Sequence, residues 1–358
     1  MSNLKMYSVW MDNPNYLDEI DETVDEVIVD NTVEIEYGQL QGDKQGLKKL
    51  IDKCVMYNIP VTVLTASSTY YQILDNDTIS KINLIDDSTF WIAKHLQSMI
   101  AYDNRMVNDS LGYDIFNKNV GLCTNTKHLY ITMNNLPKRH RCQMMDMLAK
   151  YNLIDRGAIA WRNADRATNS NSEPQLFTSG YRYRYWQPKR MYLDIEDNNT
   201  SYVNQNVLPP HYKNSFMQLV AESEEDLFMI SEKTAVPLLL NKPFLIVSCK
   251  DFHKNLVNLG FKLYDEVFDY SFDKIEDPLT RIEQLVKNVH QLSNKTPEQL
   301  NQYTELLKPK LEYNRNLAIE YSKRTIDIMK PYLTKLENAN YLTQLGLIRA
   351  LEPHVSRL

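Results

Sequence analysis

Residues Asn214–Val247 read NSFMQLVAESEEDLFMISEKTAVPLLLNKPFLIV, and the order of apolar and polar residues in this stretch decides the fold class. Ser215–Ala221 is a run of strand length that ends at the polar pair Glu222-Ser223. After a short acidic loop, Ser231 stands where a helix N-cap belongs; about two turns of helix and a second apolar run, Phe244–Val247, follow. Strand, loop, helix and buried strand in this order predict a parallel pair joined by a crossover helix.

The same alternation extends outward. Strand-length runs recur at Val27–Val29, Val61–Leu64, Ile82–Ile85 and His128–Met133, with helix-like stretches between several of them. Within Asp43–Tyr57, Leu47, Leu50, Ile51 and Cys54 fall at helical spacing, and Pro60 then introduces a strand. The class this predicts is α/β with parallel sheets. A chain of 358 residues exceeds what one core usually serves, so two domains are expected. Polar residues crowd Asn117–Lys127, which places the domains at 1–125 and 126–295, with helices over 296–358. Ile282, Leu285, Val286, Val289 and Leu292 form one helical stripe after Asp277, and Pro309 and Pro331 are expected to divide the later helical stretch.

Composition excludes several classes. Charged residues make up 24% of the chain and are spread throughout, leaving no 18-residue apolar span for a membrane. The first residues, MSNLKMYSVWMDNPN, lack a basic segment followed by an apolar run, so a cytoplasmic protein is expected. Cys54, Cys123, Cys142 and Cys249 form no C-x-x-C pair and read as reduced, buried thiols. No phosphate-loop, dinucleotide-binding or nucleophile-elbow motif occurs, and the seven histidines show no ligand spacing. Asp86-Asp87 and Asp194–Asp197 are acidic pairs and triplets of a kind too common to indicate a metal, so no metal is expected.

Two junctions carry chemistry. At Ser231-Glu232-Lys233 a strand-loop-helix turn aims backbone N–H groups and the positive end of a helix dipole at one spot, which suits a diphosphate. Lys233 adds a full charge there, and Glu232 can accept hydrogen bonds from ribose hydroxyls. The plain structural alternative is a capped helix with a solvated lysine. Upstream, HLYITMNNLPKRHRCQMMDMLAKYNLID (residues 128–155) gives a strand, a polar loop with a basic cluster, and a helix carrying Met144, Leu148 and Tyr151 on one side. Arg141 falls at the start of that helix, where a planar guanidinium can clamp two phosphate oxygens; Arg139 competes for the role.

These residues resemble the donor-binding motif of α1,3-fucosyltransferases, F-x-x-x-F-E-N-S, a short loop, Y-x-T-E-K and a small-residue helix. Glu222 and Glu232-Lys233 match it, with the same ten-residue step between the two glutamates; Phe216 and Ser223 each fall one residue before the motif's Phe and Ser, and Ala221, Glu224, Ile230, Ser231 and Pro237 depart from it. In that family an arginine seven residues before a helix leucine contacts the donor diphosphate, and Arg141 and Leu148 have this interval. Gly260-Phe261 and Asp265–Asp273 resemble the C-terminal portion of exostosin-like and phage-encoded relatives. The resemblance covers about residues 128–150 and 214–265. It implies a GT-B fold, with two Rossmann-like domains facing a cleft and C-terminal helices packing back across it. It also implies a metal-independent enzyme that takes a sugar from a nucleotide diphosphate sugar. Arg141, Arg139, Glu222, Ser223, Ser231, Glu232 and Lys233 would form the donor site, with no further cofactor. The acceptor would lie in the first domain, where Glu34, Glu36 and Asp43 are candidates for the base.

Arg156–Arg190 concentrates positive charge in a chain whose net charge is −6. Its YRYRYWQPKR segment interleaves Tyr181, Tyr183, Tyr185 and Trp186 with Arg182 and Arg184, a combination that stacks on bases or sugars and holds phosphates. Arg182, Arg184, Tyr183 and Trp186 are therefore the acceptor-binding candidates, with DNA or a glycan as the acceptor; an exposed basic hairpin is the plain alternative. A non-catalytic module of the same shape that holds nucleic acid is the rival functional reading.

Overall fold

The computed structural model describes residues 3–8, 17–31, 46–65, 75–93, 96, 121–123, 125–134, 137–161, 181–187 and 210–338. The chain divides into two compact units, Met1–Gln97 with Glu320–Leu358, and Ser98–Ile319. It is a mixed α/β protein with two four-stranded sheets, each with all of its strands parallel.

The first unit holds strands β1 (Leu4–Ser8), β2 (Glu26–Asn31), β3 (Val61–Thr65) and β4 (Asn83–Asp86), in the order β1-β2-β3-β4. Helix α1 (Gly46–Met56) crosses from β2 to β3 and buries Leu47, Leu50, Ile51 and Cys54 against Val27, Val29, Val61 and Val63. These four helical residues are the stripe that the spacing predicts. Between β3 and β4 lies the short helix α2 (Asn76–Ser80), which Asp75 caps by accepting from Thr78 N.

In the second unit, β5 (His128–Asn134), β6 (Gly157–Trp161), β7 (Ser215–Ala221) and β8 (Phe244–Val247) form a sheet in the order β6-β5-β7-β8. Every residue of β7 and β8 is buried, as expected where both faces of a parallel sheet are covered. That burial is why their sequences read as near-continuous apolar runs. Strand β6, GAIAW, gives no such signal. Its Gly157 is required by packing, since a Cβ there would lie 2.3 Å from the Tyr130 ring of β5, whose hydroxyl donates to Leu153 O. Helix α3 (Arg139–Lys150) joins β5 to β6, and α4 (Glu232–Leu239) joins β7 to β8. After β8 come α5 (Phe252–Asn258) and α6 (Pro278–Leu292). Helix α6 is capped by Asp277 and packs on α3, where Glu283 pairs with Lys150 and accepts from the Tyr151 hydroxyl.

The last described helix corrects an expectation. Helix α7 (Pro297–Asn338) runs unbroken through Pro309 and Pro331, which were expected to divide it. An interior proline forfeits one helical hydrogen bond and crowds the preceding turn, at a cost of about 3 kcal/mol. Opposing that cost, Leu300, Thr304, Leu307, Leu311, Asn314, Ala318, Ser322 and Thr325 recur every three or four residues and are all buried, so one buried stripe continues across Pro309.

Lys242, in the turn between α4 and β8, is fully buried; its Nζ donates to Ser215 O at 2.7 Å and lies 5.0 Å from the centre of the Tyr212 ring. Burial pushes its pKa down to about 7. Between pH 7 and the ordinary lysine value, the unfolded chain binds a proton that the folded chain lacks, so this group makes stability rise with pH by at most about 1.4 kcal/mol per unit. The thiols of Cys54 and Cys249, pushed up by burial, act in the opposite sense above about pH 8.5. Urea titrations of Lys242→Met and wild type from pH 7 to 8.5 are expected to show a flatter pH profile for the variant; parallel profiles would refute the assignment.

Candidate functional site

In the sheet of the second unit, the chain leaves β5 for β6 on one side and returns to β7 on the other. The direction of winding reverses between β5 and β7, and in open parallel sheets a crevice opens at such a reversal, outside the carboxyl ends of the two strands. Here α3 begins at Arg139, five residues beyond the end of β5, and the loop to α4 begins at Glu222, directly after β7. The two sequence junctions therefore meet at one end of one sheet.

Glu222 joins them. Its buried carboxylate accepts from Ser223 N at 2.9 Å, from Ser231 N at 3.2 Å, and from the hydroxyls of Ser231 and Thr234. Both ends of the 223–231 loop are thus tied to one side chain. The Glu222 carbonyl faces the other junction, accepting from Arg141 Nη2 at 3.0 Å and lying 2.8 Å from His140 Nε2. Burial raises the Glu222 pKa against the opposing pull of Lys233 and the two hydroxyls, and burial lowers that of His140.

Ser231 is the N-cap of α4, as its position in the sequence suggests: its Oγ accepts from Lys233 N at 3.2 Å. Lys233 Nζ donates to Ser223 Oγ at 2.9 Å and to the Glu232 carboxylate, so the two matched residues form an ion pair, with Glu232 almost wholly enclosed. Lys138, from the β5 junction, donates to Ser223 O at 2.7 Å and pairs with Glu224 at 3.0 Å. Arg141 is buried and Arg139 is exposed. The structure brings together Arg139, Arg141, Glu222, Ser223, Ser231, Glu232 and Lys233, and adds Lys138 and His140, which sequence reasoning saw only as part of a basic cluster.

The basic aromatic segment is placed by a second carboxylate. Asp146 of α3, fully buried, accepts from Arg184 N at 3.0 Å, Tyr185 N at 2.7 Å, Trp186 N at 2.9 Å and the Tyr181 hydroxyl at 3.0 Å. Nothing in the sequence pattern marked this residue. Trp186 is buried, its ring edge-on to Trp161 at 5.0 Å, and Tyr183 stacks edge-on to Trp186 at 5.4 Å. The outward face is carried by Arg182, Arg184 and Tyr185, with Lys150 Nζ 5.5 Å from the centre of the Tyr185 ring.

Glu34, Glu36 and Asp43 lie outside the described residues, as do Arg162, Arg166, Lys189, Arg190 and Asp194–Asp197. Asp87 accepts from Thr89 N at 2.9 Å, from the Thr89 hydroxyl, and from Thr325 Oγ1 at 2.6 Å; burial and the neighbouring Asp87 push Asp86 up to about 6. Among the described residues, no group of three or more His, Cys, Asp or Glu could hold a metal ion, and no helix is long and apolar enough to cross a membrane. No family model, curated protein or solved structure matches this chain.

Asp146→Ala leaves three backbone N–H groups without their acceptor, a loss on the order of 2–5 kcal/mol. Limited trypsin digestion of the folded variant is expected to cut after Arg182 and Arg184 much faster than in wild type. Unchanged cleavage would show that the segment is held by other contacts.

Proposed function

We propose that this chain is a GT-B glycosyltransferase that moves a sugar from a nucleotide diphosphate sugar to an acceptor hydroxyl without a metal. The observation that carries this reading is the meeting, at the reversal point of one parallel sheet, of two helix starts with Arg139, Arg141 and Lys233. Backbone N–H groups and a dipole end favour an anion at each helix start, and the cations supply full charge. The likeness of the same residues to the fucosyltransferase donor motif points to a nucleotide diphosphate as that anion.

The ion pair between Lys233 and Glu232 defines how the donor enters. Lys233 leaves Glu232 for the diphosphate, and the freed carboxylate turns to the ribose hydroxyls. Arg141 holds the β7 loop through the Glu222 carbonyl, and its charge would face the diphosphate from beneath that loop. Arg139, exposed at the first turn of α3, reaches the outer phosphate oxygens. In the transfer, an acceptor oxygen attacks the anomeric carbon and loses its proton to a base. The bond to the diphosphate breaks, and its electron pair leaves on the nucleotide. Arg182 and Arg184 offer the acceptor an exposed cationic surface, which suits a phosphate-bearing acceptor such as DNA, or a glycan.

Charge grows on the diphosphate as the glycosidic bond breaks, so a cation there acts more strongly on the transition state than on the bound donor. With a donor found by mass spectrometry of products from mixed UDP- and GDP-sugars, Lys233→Ala is expected to lower kcat more than Glu232→Ala does. Glu232→Ala should chiefly raise the donor KM, by about tenfold or more, as for lost hydrogen bonds to a charged group. Near-normal kinetics in both folded variants would leave Ser231-Glu232-Lys233 as a helix cap and sink the reading. Turnover is also expected to survive excess EDTA, and a loss restored by manganese would contradict the metal-free mechanism.

A further inference from the structure

Beside the reversal point, the carboxyl ends of β5 and β6 carry two polar groups that the site described above does not use. Asn134 and Trp161 are register partners on these neighbouring strands, so their side chains leave the same face of the sheet about 4.8 Å apart at the backbone. Both are buried, Asn134 to 3% exposure and Trp161 to 1%. The Asn134 amide nitrogen donates to Thr132 Oγ1 at 3.1 Å, which turns the amide so that Oδ1 is left to accept. Neither Asn134 Oδ1 nor the Trp161 indole N–H has a hydrogen-bond partner among the described residues. The indole is held in place by the edge-on contact with Trp186, itself fixed by Asp146.

Two buried polar atoms left unsatisfied on adjacent strands are costly to the fold, and native interiors avoid them unless something else completes them. One is an acceptor and the other a donor, on one face, at the carboxyl ends of adjacent strands beside the reversal point. A group that sets a donor beside an acceptor completes both at once, and the Watson–Crick edge of every nucleobase does so. We propose that Asn134 and Trp161 form a nucleobase subsite, in which a base N–H donates to Asn134 Oδ1 and a base acceptor receives the Trp161 N–H. This rests on the reading of the crevice as a nucleotide diphosphate site. It adds the part of the ligand that the cations cannot recognise.

The test uses the full chain and two variants, Trp161→Phe and Asn134→Leu, each of which removes an unsatisfied atom while keeping most of the volume. Calorimetric titrations with UDP, GDP, CDP and ADP, with ribose 5-phosphate, and with inorganic pyrophosphate separate the outcomes. Wild type is expected to bind pyrophosphate and at least one nucleoside diphosphate. Both variants should keep pyrophosphate and ribose 5-phosphate affinity within about twofold and lose about tenfold for that nucleoside diphosphate. Their ligand-free unfolding midpoints are expected to fall modestly, because Asn134→Leu also removes the hydrogen bond to Thr132 Oγ1 and Trp161→Phe leaves some volume unfilled; retained pyrophosphate and ribose 5-phosphate affinity separates loss of the base contact from a merely structural role, which would weaken all three ligands together. Equal nucleoside diphosphate affinity in wild type and either folded variant overturns the subsite, leaving a buried water as its occupant. A parallel loss for ribose 5-phosphate overturns the assignment to the base. Failure of wild type to bind pyrophosphate or any nucleotide refutes the diphosphate reading itself, and the subsite with it.

Discussion

The carboxyl end of the second unit's sheet depends on one buried carboxylate. Glu222 closes the loop after β7 by accepting from both of the loop's ends, and the same residue's carbonyl receives Arg141 and faces His140 from the junction after β5. Without it, Ser231 would lose the partner that orients its hydroxyl, and the cap that starts α4 would lose its anchor. A charge so enclosed is tolerated only because four donors meet it; removing a partner from such a group costs several kcal/mol. The two junctions are therefore tied together by a polar network at the end of an otherwise apolar sheet.

The same device recurs. Asp146 gathers three backbone N–H groups and a hydroxyl of the segment that follows β6. Asp273 accepts from His253 N, Lys254 N and His253 Nδ1, fixing the start of α5, while His253 Nε2 takes the N–H of Ile246 in β8. That last contact occupies both ring nitrogens and makes this histidine and aspartate a structural pair. Irregular chain cannot satisfy its own backbone groups as helices and strands do, so these three connections at the sheet borrow an acceptor from a carboxylate.

On the proposed reading, neutralised cations set the terms for the ligand. Lys138 and Lys233 already have carboxylate partners, Glu224 and Glu232, within the site. An anionic ligand must displace one of these carboxylates, and a ligand that also offers hydroxyls gives the displaced carboxylate new partners. Pyrophosphate would then bind more weakly than a nucleoside diphosphate, because a bare anion leaves Glu232 buried without its cation.

The α/β class, six of the eight described strands, the stripe of α1 and the Ser231 cap were legible in the sequence, because each rests on local order: apolar runs, helical spacing and a capping oxygen beside the N–H it serves. Strand β6 was not, since Gly157 carries no apolar signal and is small because the Tyr130 ring lies against it from the neighbouring strand. The continuity of α7 was also hidden, because a proline's local cost is visible in a sequence while the buried stripe that offsets it is known only once packing is. For the site, sequence supplied the residue types at two junctions. Only the tertiary structure decided that both junctions lie at the reversal of one sheet, that Glu222 faces inward as their common anchor, and that Asp146 clasps the aromatic segment. Strand order and long-range hydrogen bonds join residues 35 to 85 positions apart, and no local pattern of side chains encodes which of them will meet.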